Sequence, residues 1–206
     1  PPLGQLIVLA GMRIFGDTPL GWRFFSVIFG TISILLIYLI CRQLGLSRLA
    51  SNLAICLFAF ENMSFVQAGV AMLDVFSVTF TLAAFWLYLR RKYPLTGLLI
   101  CLATLIKLSG ALTLPAIALH WLVFRRDNPY RMIASLCAAP LLFFLLIPGL
   151  DYFLIGQLAN PLERVWDMLV TTQSITYAFA DHPYATRPWE WLISPQGMPY
   201  WYTPKY

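Results

Sequence analysis

"GWRFFSVIFGTISILLIYLICRQLGLSR", residues 21–48, decides the class of this protein. Its apolar run over 22–41 matches the roughly 20 residues that a helix needs to cross a bilayer core. It ends at a turn flanked by Arg42 and Arg48. Five more apolar runs follow, near 49–60, 71–89, 95–106, 111–124 and 132–150. Those at 49–60, 95–106 and 111–124 are short for a full span, which predicts a bundle of broken or shallow helices around a cavity. The composition agrees: 60% of residues are hydrophobic, only 11% are charged, and the mean hydropathy is +0.73. These values are those of an integral membrane protein.

The placement of charge carries more information than its sum. A net charge of +5 would suit nucleic acid only if Lys and Arg gathered on one solvent face, and here they stand in short groups between apolar runs. Arg42 and Arg48, then Arg90, Arg91 and Lys92, then Arg125, Arg126 and Arg131 occupy three tight turns, with Asp127 the one acid among them. By the positive-inside rule these turns face the cytoplasm. The N-terminal stretch 1–21, the turns near 61–70 and 107–112, and all of 151–206 then lie on the far side, with Glu61, Asp74, Lys107, Asp151, Asp181, His182, Arg187 and Glu190. Residues 1–16 open with two prolines and hold too short an apolar run to span, so they read as an interfacial helix on the outer surface. Trp and Tyr crowd the tail, as at a headgroup-level surface. The four cysteines all sit in apolar stretches without a CxxC pair and read as packing residues.

Some polar residues within these runs need a reason. Glu61, Asn62, Gln67 and Asp74 interrupt an otherwise apolar helical pair; either they face a water-filled cavity, or Glu61 and Asn62 sit in a solvated turn and Asp74 caps the helix running to 89. Lys107 stands between two short runs and ahead of Ser109 and Gly110, where an opened helix would present N–H groups to an anion; the alternative is a lysine snorkelling to the interface. In "ADHPYATRPWEW", residues 180–191, His182, Tyr184 and Arg187 with the nearby tryptophans suit a phosphate and a sugar; the alternative is an aromatic loop anchored at the interface. His120, beside Trp121 near the cytoplasmic end of its helix, reads as structural. No Walker loop, HExxH, GxSxG or dinucleotide fingerprint is present.

Four stretches together resemble a family. "PPLGQLIVLAGMRIFGDTPLGWR", residues 1–23, is similar to the HPPLGK segment of the protein O-mannosyltransferases, without its leading His and with Gln5 for Lys. "ENMSFVQAGVAMLDVF", residues 61–76, resembles their EN..VQSR..LLD stretch, "LIKLSG", residues 105–110, their KxSG element, and "HPYATRPWEW", residues 182–191, their luminal HPY motif. The resemblance implies an all-α polytopic transmembrane bundle of glycosyltransferase fold C, with a membrane region over 1–150 and an extracytoplasmic loop over 151–206. It implies transfer of mannose from a polyprenyl-phosphate-mannose donor to Ser or Thr hydroxyls of exported proteins. The reaction would invert the anomeric centre at the outer face of a prokaryotic plasma membrane, with no cofactor beyond the donor.

The same resemblance assigns donor or substrate contacts to Lys107, His182, Arg187, Asp74, Glu61, Asn62 and Tyr184. Two departures qualify it. Gly69 stands where the eukaryotic pattern has Arg, and the family's acidic motif, which carries the proposed general base, would precede Pro1, so the chain reads as an internal piece of a longer protein. A fold-C transferase with a lipid or glycan acceptor is the nearest alternative, and a membrane transporter a more distant one.

Overall fold

The computed structural model describes residues 2–158 and 160–174, which contain no strand. Helix α1 is Pro2–Phe15, α2 Pro19–Gln43, α3 Arg48–Ala59, α4 Asn62–Gly69, α5 Leu73–Leu89, α6 Tyr93–Ile106, α7 Thr113–Phe124, α8 Pro129–Ile155 and α9 Pro161–Ser174; a 3-10 turn, Leu108–Leu112, joins α6 to α7. Each apolar run of the sequence has become a helix, and the run at 132–150 is the middle of the longer α8. The stretch read as a turn near 61–70 is instead helical over Asn62–Gly69, as α4, ahead of α5. Among the described residues, two helices are long and apolar enough to cross a membrane, α2 with 25 residues and α8 with 27. The chain forms two compact units, residues 1–162 and 163–206.

Local chemistry sets the helix boundaries. Thr18 begins α2 by accepting the Gly21 N–H on its hydroxyl at 3.2 Å, and Pro19 follows in the first turn, where a missing N–H costs nothing. Ser47 caps α3 in the same manner through the Ala50 N–H. α8 ends at Gly156, whose left-handed backbone (φ 71°) suits a residue without Cβ.

Between helices, small and hydroxyl residues hold the first unit together. Gly11 of α1 and Gly21 of α2 meet backbone to backbone, with no room for a Cβ, and Gly97 of α6 does the same against Ser135 of α8. Buried Ser33 of α2 and Thr79 of α5 pair their hydroxyls at 2.7 Å, and the Ser135 hydroxyl donates to the Tyr93 carbonyl. Such contacts associate helices where apolar surroundings supply no hydrophobic drive. Consistent with those surroundings, large apolar side chains such as Leu57, Phe60, Leu145 and Phe153 are exposed.

The three basic turns gather at one end of this unit. Ile40 near the end of α2 packs in one cluster with Tyr88, Leu89, Tyr93, Trp121 and Met132. Arg125 donates to the Leu89 carbonyl at 3.0 Å, meeting an open carbonyl at the C-terminus of α5. The Trp121 indole donates to the Asp127 carbonyl at 2.9 Å, and Arg91 Nε stands 3.2 Å from the Asp127 carboxylate. His120 is held in the same way: its Nδ1 hydrogen-bonds the Tyr88 hydroxyl at 2.8 Å, and its ring lies tilted against Phe124, centroids 5.0 Å apart.

Burial acts to raise the pKa of Asp127, but the neighbouring Tyr93 hydroxyl and Arg91 and Arg125 outweigh it and hold the carboxyl below its ordinary value. A carboxyl whose folded pKa is depressed stabilises the fold above its unfolded pKa, about 4, and loses that contribution as pH falls through the folded value. Asp127→Asn should therefore lower stability by about 0.5 kcal/mol at neutral pH. The difference from wild type should close in acid, as read by thermal unfolding of the detergent-solubilised protein.

Candidate functional site

At the other end of the unit, the sequence breaks two helices at neighbouring points. α6 stops at Ile106, and Lys107 takes an extended backbone (φ −146°, ψ 132°) before the 3-10 turn. Its N–H still bonds the Ala103 carbonyl at 3.0 Å, and its own carbonyl accepts the Gly110 N–H at 2.8 Å. Gly110 is required there, because a Cβ would lie 2.5 Å from the Ala103 carbonyl carbon and oxygen. The KLSG element is thus a helix stop that aims one lysine away from its helix.

That lysine meets Asp74. Lys107 Nζ lies 2.5 Å from Asp74 Oδ1, with the two side chains 47% and 30% exposed. Asp74 sits in the first turn of α5, where the helix dipole favours a carboxylate, but the capping position is Met72 and makes no side-chain bond. The acid therefore serves the lysine rather than its own helix start. An ammonium has three N–H donors, and the half-exposed Lys107 uses one of them on Asp74.

α1 holds the pair in place from the side. A Cβ on Gly4 would lie 2.8 Å from Leu73 Cδ2 and 3.1 Å from Ile106 Cγ2, the residues that directly precede Asp74 and Lys107. Leu3, Ile7 and Val8 pack on the cluster of Val75, Phe76 and Ile106. Three sequence elements, PPLG, the Asp74 stretch and KLSG, converge on one point.

The remaining candidates divide. Glu61 is exposed and accepts the Ser64 N–H on its carboxylate at 2.7 Å, so it caps α4, a role not foreseen for it. Asn62 is the first residue of α4. His182, Tyr184 and Arg187 lie outside the described residues. At Gly69 a side chain would meet open space, so the arginine of the eukaryotic pattern is missing for no steric reason.

A cleft of about 340 Å³ lies between α2, the end of α3, α4 and the start of α5, lined by Ser64, Gln67 and Ala68 of α4; the short runs led to the expectation of a cavity, but not to its place beside α4. The i, i+3, i+4 spacing of those three residues was the available signal.

Comparison with known proteins follows the same residues. A family model described as dolichyl-phosphate-mannose-protein mannosyltransferase matches residues 1–152. The chain belongs to this mannosyltransferase family. A polyprenol-phosphate-mannose--protein mannosyltransferase of Mycolicibacterium smegmatis is 39% identical over 85 residues, 41% of this chain and 16% of that protein. One of the same name from Corynebacterium glutamicum is 39% identical over 90 residues, 44% of this chain and 17% of its own length. An uncharacterized protein of Aquifex aeolicus is 30% identical over 156 residues, 71% of this chain and 31% of that protein. The chain thus spans about a sixth of the length of the curated mannosyltransferases it matches. No solved structure matches.

Two glycines separate site geometry from general tolerance. Gly110→Ala, which forces a Cβ onto backbone atoms, should cost roughly 1–3 kcal/mol. Gly69→Ala, which adds a methyl in open space to the end of a helix, should be neutral or slightly stabilising. Thermal unfolding of the two variants side by side checks the contrast.

Proposed function

We propose that the intact protein, as a multi-pass membrane enzyme, transfers mannose from a polyprenyl-phosphate-mannose donor to Ser or Thr hydroxyls of exported proteins at the extracytoplasmic face. The observation that carries this reading is the Asp74–Lys107 pair, built where three family elements meet and at the end of the unit opposite the clustered basic turns. The positive-inside rule supports an outward-facing site.

The leaving group of such a donor is a phosphate monoester, on which negative charge grows as the sugar–oxygen bond lengthens. Lys107 supplies a positive charge and two spare N–H donors for that oxygen, while Asp74 fixes the direction of the amine. Direct displacement by the acceptor hydroxyl inverts the anomeric carbon, and a carboxylate takes the hydroxyl proton as attack develops. That carboxylate is assigned to none of the residues described above. His182 and Arg187 are further donor contacts in this reading, carried by their match to the family's HPY motif, with Tyr184 beside them. Asn62 and Glu61 shape the acceptor side through the turn that α4 begins.

Membranes containing the intact protein should transfer radiolabelled mannose from polyprenyl-phosphate mannose to a Ser/Thr-rich peptide. Lys107→Ala should lower kcat by about 100-fold or more, the usual cost of one donor aimed at developing charge, and Lys107→Arg should recover part of it. Unchanged transfer in Lys107→Ala would remove the lysine from the site. Mannose released to a lipid or glycan fraction instead of the peptide would overturn the acceptor assignment.

A further inference from the structure

We infer that the apolar face of α9 lies on the lipid surface of the bilayer, on the side where α8 ends, and that apolar burial rather than charge holds it there. Leu162, Val165, Trp166, Leu169 and Val170 of α9 recur at i, i+3, i+4, i+7 and i+8, the spacing that sets five side chains along one stripe of a helix. Glu163, Arg164 and Asp167 fall on the opposite side. Leu162 and Trp166 are 69% and 67% exposed, and Leu169 and Val170 are exposed with them. The described residues thus leave most of the stripe uncovered. A contiguous apolar face of this kind is unfavourable in water and calls for an apolar partner.

α8 says which partner. Its 27 residues make a helix about 40 Å long, close to the thickness of a bilayer with its headgroups. With α8 across the membrane, Gly156 at its end stands at headgroup level. Residues 157–160 can extend by at most about 14 Å before α9 begins, so the stripe starts close to that surface. Exposed apolar side chains also run on along the chain: Leu145 and Phe153 on α8, then Ile155 and Leu158, then Leu162 and Trp166. Lipid covers the first of these and lies within reach of the last. Trp166 suits the headgroup layer, because its ring is apolar and its N–H finds a polar partner there. Glu163 and Asp167 outnumber Arg164 on the opposite side, so attraction to anionic headgroups contributes little. The helix is an interfacial anchor of the kind that depends on buried apolar area.

The test uses the intact protein, without its native cysteines, in vesicles of a zwitterionic phospholipid. Leu162→Cys, Glu163→Cys, Trp166→Cys, Asp167→Cys and Leu169→Cys each receive a nitroxide label. Its collisions with oxygen report lipid, and its collisions with a water-soluble nickel chelate report solvent. Labels at 162, 166 and 169 should collide mainly with oxygen and those at 163 and 167 mainly with the chelate, with no change on adding anionic lipid or salt. Adding Leu162→Glu and Trp166→Glu to Leu169→Cys should bring the chelate collisions at 169 up to those at 167. Both replaced side chains are exposed, so the fold should persist, as thermal unfolding checks. Chelate collisions at all five positions would make α9 a helix in water. Few collisions with either agent at 162, 166 and 169 would mean that protein covers the face, and a pattern present only with anionic lipid would mean that charge holds it. Any of these results, or an unmoved label at 169 in the glutamate variant, would overturn the inference.

Discussion

The contact between Asp74 and Lys107 is the constraint around which this end of the protein is arranged. Lys107 is exposed and Asp74 part-exposed, so the contact adds little to stability; what it fixes is the direction of the amine. Pairing them requires α5 to start and α6 to stop at the same height. That requirement accounts for features that otherwise look unrelated: the extended backbone of Lys107, the tight turn at Gly110, and the close seat of Gly4 against Leu73 and Ile106. Each is a device for bringing two helix ends together under a short third helix.

The opposite end is built from different chemistry. There the charges are many, and they serve the fold: Arg125 meets carbonyls at the end of α5, Arg91 balances Asp127, and His120 bonds Tyr88. The asymmetry is physical as well as topological. At the basic end, charges are spread over turns and satisfied largely by backbone, whereas at the other end the Asp74–Lys107 pair is left half-exposed with hydrogen-bonding capacity to spare.

Between the two ends, glycine and hydroxyl contacts let α1, α2, α5, α6 and α8 approach closely. α4 is too short to complete that packing along its length, and the cleft beside it follows from the break between α3 and α4 that Glu61 caps. The same break that interrupts the apolar pattern in the sequence thus opens the space that the bundle leaves unfilled.

Composition and hydropathy alone determined that this chain is helical and apolar, and where its apolar helices lie, because helix position depends on runs of residues close in sequence; α4 and α9 fall in stretches read as a turn and a loop. The basic turns and the four family stretches were equally legible, since each is a local pattern. The break at Lys107 could be read from the Ser-Gly that follows it. Only the tertiary structure decided that Lys107 spends a bond on Asp74, 33 residues away, that Glu61 serves a helix start, and that the glycine of PPLG is a spacer between helices. It also decided that Gln67 faces a cleft. The reason is the same in each case: which polar groups satisfy one another depends on how helices cross, and crossing is set by side-chain packing between segments far apart in the chain.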